Sequence, residues 1–195
     1  MFVNTCIRLC QLSSNGQGAQ LNKFEDFVGD FRMFLPSYAL ETSADRMTYQ
    51  FNSEGIQGSI IKIIRFQAMS QKGVYNLAFG DKVPDSDKID DKAISNNGDR
   101  EKVLATVAAS VYFFSERYPR AWIYATGSSR ARTRLYQMGI AKYAQEISED
   151  FIVMGLRVNG WESFQLRVEY EGFLFRRRGQ NRLSLEEERS ALYEI

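Results

Sequence analysis

Polar and apolar residues alternate from Arg46 onward: Met47, Tyr49 and Phe51 are separated by polar positions, the period-two mark of a half-buried strand. Ser53-Glu54-Gly55 with Gly58 makes a turn, and Ile60 to Met69 is rich in β-branched and apolar residues, as an interior strand is. Ser70-Gln71-Lys72-Gly73 reverses the chain into Val74-Tyr75-Asn76-Leu77-Ala78-Phe79. These two runs are predicted to pair as an antiparallel hairpin.

The period then changes. After Asn96-Asn97-Gly98-Asp99, Val103, Val107, Val111 and Phe114 recur at helical spacing, with Leu104 and Ala108 widening the stripe. Asp99 and Glu101 fall in the first turn, where the helix dipole favours negative charge, and Tyr118-Pro119 ends the helix. Ala121 to Ala125 reads as a short apolar strand. Thr126-Gly127-Ser128-Ser129 leads tightly into a second helix, with Ser128 or Ser129 as N-cap and Ala131, Leu135 and Met138 as its inner face. Phe151 to Val158 is strand again, Asn159-Gly160 predicts a type I′ turn into Trp161, and Tyr170 to Phe175 closes the sheet.

The expected fold class is therefore α+β: a mixed, mainly antiparallel sheet with two main helices, in the order β-β-α-β-α-β-β. Residues 1–33 read as an N-terminal extension, in which Phe24, Phe27, Val28 and Phe31 are spaced for a short amphipathic helix. Residues 34–178 form one α/β domain. Residues 179–195 are a charged tail, helical or frayed from Leu183 to Tyr193.

Composition changes this picture mainly by subtraction. The chain of 195 residues has no histidine, which removes Ser–His–Asp and Cys–His nucleophiles and most zinc chemistry. An enzyme built from it relies on carboxylates, Tyr, Lys, Arg or the substrate itself. The net charge of +1 gives no global attraction to nucleic acid or an anionic membrane, so nucleic acid is not an expected partner. Two cysteines, Cys6 and Cys10, exclude a disulfide framework for the domain and fit a reducing, cytoplasmic setting. No apolar run is long enough to span a bilayer, and the first residues lack the basic segment of a secretory signal. The acidic loop with Asp81, Asp85, Asp87, Asp90 and Asp91 lacks the glycine and terminal glutamate of a calcium loop, so no metal is expected.

The densest candidate site is Gly127-Ser128-Ser129-Arg130-Ala131-Arg132-Thr133-Arg134. A glycine turn entering a helix offers free backbone N–H groups to an anion, Ser128 and Ser129 add hydroxyls, and Arg130 and Arg134 share one helical face. The alternative is that the serines cap the helix and the arginines pair with surface carboxylates. A second cluster, Arg176-Arg177-Arg178, ends the last strand, with alternation sending Arg177 to the face opposite the other two.

The order of elements over residues 59–176 resembles the C-terminal part of the GCN5-related N-acetyltransferase fold. Ala131-Arg132-Thr133-Arg134-Leu135-Tyr136-Gln137-Met138-Gly139-Ile140 is similar to that family's late helix motif, Ala-Arg-x-Leu-Tyr-x-x-x-Gly-Phe. The resemblance implies acetyl-CoA as a possible cofactor and Tyr136 as the general acid toward the departing thiolate. The family's pyrophosphate loop, Arg/Gln-x-x-Gly-x-Gly/Ala, is replaced here by Asn96-Asn97-Gly98-Asp99-Arg100-Glu101, which has one glycine and two acids. An atypical or non-catalytic acetyltransferase-like domain follows, binding an anionic small molecule or a protein partner. A working acyl-CoA-dependent N-acyltransferase is the second reading. A third is an interaction module of a toxin–antitoxin or phage-defence type, in which the N-terminal segment makes a homo-oligomer or binds another protein. From Phe34 to Arg178 the chain also resembles an uncharacterised family of small bacterial proteins. That likeness is carried by Tyr75 to Asp81, Asn97 to Val107 and Ala125 to Tyr136.

Overall fold

A computed structural model of the protein describes residues 36–179 and a two-residue strand, β1, at Asn22–Lys23. The expected helix at Phe24 to Phe31 and the tail helix lie outside the described residues. The remaining strands are β2 (Glu41–Thr42), β3 (Thr48–Gly55), β4 (Gly58–Ala68), β5 (Val74–Lys82), β6 (Ile89–Asp90), β7 (Trp122–Ala125), β8 (Phe151–Arg157), β9 (Gly160–Ser163) and β10 (Gly172–Arg177). The helices are α1 (Arg100–Arg117), α2 (Arg130–Lys142) and α3 (Ala144–Asp150).

All the strands belong to one sheet, ordered β1-β2-β3-β4-β5-β7-β10-β8-β9, with β6 on the edge of β5 beyond β7. Every pairing is antiparallel except β5 with β7, which α1 joins by a crossover. The fold is thus α+β with a mixed, mostly antiparallel sheet. No described helix is long and apolar enough to cross a membrane.

Register explains how the helices sit. In β4 and β5, Phe66 lies opposite Leu77 and Ile64 opposite Phe79, so these side chains share a face with Tyr49 and Phe51 of β3. Ile123 and Ala125 of β7, Phe173 and Phe175 of β10 and Val153 of β8 continue that face. The three helices pack against it. The opposite face carries Val74, Trp122, Met154 and Leu174, with Tyr124 set edge-on to Trp161 at 6.1 Å.

Several expectations shift in detail. The stripe of Val103, Val107 and Val111 is only half-buried, whereas Ala105, Thr106, Ala109, Ser110 and Ser115 of α1 are buried. Small hydroxyl residues go inside because each can bond its own helix: Thr106 to the carbonyl of Lys102, Ser110 to that of Val107, and Ser115 to that of Tyr112. In α2 the buried positions are Thr133 and Ile140, while Ala131 and Met138 are exposed. The Thr133 hydroxyl accepts from the Gly127 N–H at 3.1 Å, which ties the start of α2 to the turn before it. The β8–β9 reversal falls one residue early. Arg157 pairs with Gly160, and only Gly160, not Asn159, has a positive φ.

Candidate functional site

Between α1 and α2, over β7 and β10, lies a cavity of about 330 Å³. Its cause is side-chain size. Ala105 and Ala108 line it from α1, Gly139 from α2 and Ala125 from the sheet, so four positions project a methyl group or less. Larger side chains close the ends and floor: Leu104, Val111, Leu135, Ile140, Phe173 and Phe175. A volume of this size lies at the lower end of the range for small-molecule sites, about 300–1,000 Å³.

The cavity has a direction. Tyr112 and Phe151 wall its inner end and are 8% and 2% exposed. Arg100, Glu101 and Lys142 line its other end and are exposed. There Lys142 Nζ donates to Glu101 Oε1 at 2.9 Å, joining the start of α1 to the end of α2. The pairing holds the Glu101 carboxyl below the usual range and raises the Lys142 ammonium.

The strands below end their pairing at this space. β5 and β7 pair at Val74–Trp122, Tyr75–Ile123 and Asn76–Tyr124, and the parallel ladder ends there. The next residues on each strand, Leu77 and Ala125, line the cavity. Further along β5 its free edge is taken by β6, where Asp81 pairs with Asp90.

Tyr136 is half-buried and lines the cavity from α2. Burial pushes its phenol above the ordinary value, with the Arg132 guanidinium pulling the other way, so it is a neutral O–H at physiological pH. Its neighbour Gln137 fastens α2 to the segment before β10, donating to the Val168 carbonyl at 2.5 Å.

The loop before α1 is pinned to the β3–β4 hairpin. The buried Asn97 amide donates to the carbonyls of Ser53 and Gly58 and to Ser53 Oγ, and its oxygen accepts from the Gln57 N–H. Gly55 permits this approach, since a Cβ there would lie 1.8 Å from the Asn97 carbonyl oxygen. The Asp99 carboxylate accepts from Ser53 Oγ at 2.6 Å and from the Tyr38 hydroxyl at 2.8 Å. Both acids of the Asn96 to Glu101 loop are therefore engaged, Asp99 with β3 and Glu101 with Lys142.

The Gly127 to Arg134 corner is similarly occupied by protein groups. Ser129 is the N-cap and accepts from the Arg132 N–H. Ser128 Oγ donates to the Asp91 carbonyl at 2.7 Å. Arg132 donates to Ser128 Oγ and to the Ala93 carbonyl, clamping the segment after β6 to α2. Arg130 pairs with Glu169 at 2.8 Å in open solvent, and Arg134 is exposed. The terminal arginines are separated: Arg176 stacks over Trp122 at 4.6 Å, Arg177 faces Tyr112 and Glu116, and Arg178 binds the Ser148 and Asp150 carbonyls. Among the described residues no group of three or more His, Cys, Asp or Glu converges as a metal site would require.

Of the site residues expected from sequence, Tyr136 lies on the cavity and the corner residues lie at the opposite end of α2 from its charged mouth. The cavity was not foreseen. Its only sequence signal was the run of small residues, Ala105, Ala108 and Gly139, at inward positions of two helices. No curated protein and no solved structure matches the chain significantly. Residues 35–178 match the sequence profile of a family of unknown function, DUF6934, and the chain belongs to that family.

Proposed function

We propose that the protein is an atypical acetyltransferase-like domain that binds a small anionic ligand with an apolar body in the cleft between α1 and α2. The observation that carries this reading is the cavity itself: apolar walls inside, and Arg100, Glu101 and Lys142 at its exposed end. Pinning of the Asn96 to Glu101 loop by Asn97 and Asp99 argues against a pyrophosphate cradle there. Engagement of Ser128, Ser129 and Arg132 within the protein favours the cleft over the corner as the ligand's place.

Calorimetry with octanesulfonate tests the reading. Saturable one-to-one binding is expected, and it should disappear in Ala108→Phe, whose ring fills the space. Unchanged binding in an Ala108→Phe protein with a wild-type melting profile would sink the proposal.

The acyl-CoA-dependent N-acyltransferase remains the second reading because Tyr136 lines the same cavity as Leu77 and Ala125, the residues just past the β5–β7 ladder. Its phenol would then protonate the departing thiolate. Acetyl-CoA should in that case bind saturably at micromolar concentration, and Tyr136→Phe should lower turnover without weakening that binding.

A further inference from the structure

Resting on the cleft reading above, we infer that the occupant is a monocarboxylate with an apolar tail, its carboxylate held by Lys142 in the place of Glu101.

The walls argue for an apolar tail. Cavity-lining residues on α1 run from Arg100 to Tyr112, twelve steps of helix. At ~1.5 Å per residue that is about 18 Å. Along that length the α1 lining is apolar from Leu104 to Val111, with Ala125, Phe173 and Phe175 of the sheet facing it.

Charge argues for a carboxylate. Among the lining residues two are basic, Arg100 and Lys142, and one is acidic, Glu101, leaving a single net positive charge. Arg100 and Glu101 are also the first residues of α1, whose positive dipole end adds to the attraction for one negative group. Lys142 already holds a carboxylate, that of Glu101, at 2.9 Å. The side chains of that pair are 53% and 82% exposed, so it is a weak contact that an incoming carboxylate can replace at little cost. Glu101 then turns to solvent, and the tail lies in the apolar cavity toward Phe151.

The experiment compares octanoate, octanol and octylamine by calorimetry on the full-length protein. Octanoate should bind most tightly and octylamine least. Lys142→Gln should weaken octanoate by about threefold, the loss of one exposed ion pair, and leave octanol unchanged. Glu101→Gln removes the internal competitor and should tighten octanoate, again without effect on octanol. Octanol binding as tightly as octanoate, or weaker octanoate binding in Glu101→Gln, would overturn the carboxylate assignment while leaving the cleft reading intact. Failure of octanoate, octanol and octanesulfonate alike would remove both.

Discussion

On one side α1 rests on rings, and on the other it faces space. Toward β3, β4 and β5, Phe114 is 0% exposed and stacks on Phe66 with 4.0 Å between centroids. Tyr75 meets the same ring edge-on at 5.2 Å, and Phe51 lies parallel to both Tyr38 and Phe79. Toward α2, the same helix presents Ala105 and Ala108 to a cavity of about 330 Å³. A helix that packs aromatics on one flank could pack them on the other. The open flank therefore marks where stability has been left unused, and the difference separates the residues that hold the fold from those available to a ligand.

The comparison breaks most directly at Phe114. Phe114→Ala removes a fully buried ring and should cost about 3–5 kcal/mol. Leu135→Ala, at the half-buried cavity wall, should cost at most about 2 kcal/mol, because its neighbours already border empty space. Urea unfolding of both variants is the measurement. Equal losses would mean that the two flanks are equally packed.

Alkaline unfolding sharpens it next. Burial raises the phenols of Tyr49, in the ring-filled flank, and Tyr112, at the inner end of the cavity; the hydrogen bond from Tyr112 to Asp150 raises the latter further. A folded-state value above the unfolded one gives stability that is fully present below about pH 10 and lost as pH climbs through the folded values. Each tyrosine should then contribute a slope of about 1.4 kcal/mol per pH unit above pH 10. Tyr49→Phe and Tyr112→Phe should each remove one share, read from unfolding midpoints across that range. A slope unaffected by Tyr112→Phe would show that solvent reaches the inner end of the cavity.

The two flanks were unequally legible in the sequence. The ring-filled flank follows from strands whose alternation places Tyr49, Phe51, Ile64 and Phe66 on one face, and period-two patterns identify such residues without any tertiary information. Helix faces were harder. Thr106, Ser110 and Ser115 are buried because their hydroxyls bond local carbonyls, which makes polar residues behave as core. The valine spacing found a stripe that packs against the core with Phe114, and it missed these hydroxyl positions. Tyr136 was singled out through its motif, and it does line the cavity. The cavity itself arises from what alanine and glycine fail to fill across two helices and a sheet, and no local pattern records an absence of that kind. Likewise Lys142 and Glu101 are 41 residues apart and meet only because α2 returns across the start of α1.

The smallest expected effect is the most discriminating. Gly139 lies within α2 with no positive φ, so its backbone does not require glycine. A Cβ built there would come no nearer than 3.7 Å to its closest neighbour, Leu104 Cδ1, an ordinary contact. Glycine inside a helix is less stable than alanine by roughly 0.5–1 kcal/mol, so Gly139→Ala should stabilise the protein by that amount. For a chain of this size the melting temperature should rise by roughly 2–4 °C per kcal/mol. The added methyl projects into the cavity between the helices, so octanesulfonate binding should weaken as stability rises. Opposite movement of the two quantities is what a clearance kept for a ligand predicts. A destabilised Gly139→Ala would mean that α1 and α2 touch at this point, and the contrast between a filled and an open flank of α1 would fail there.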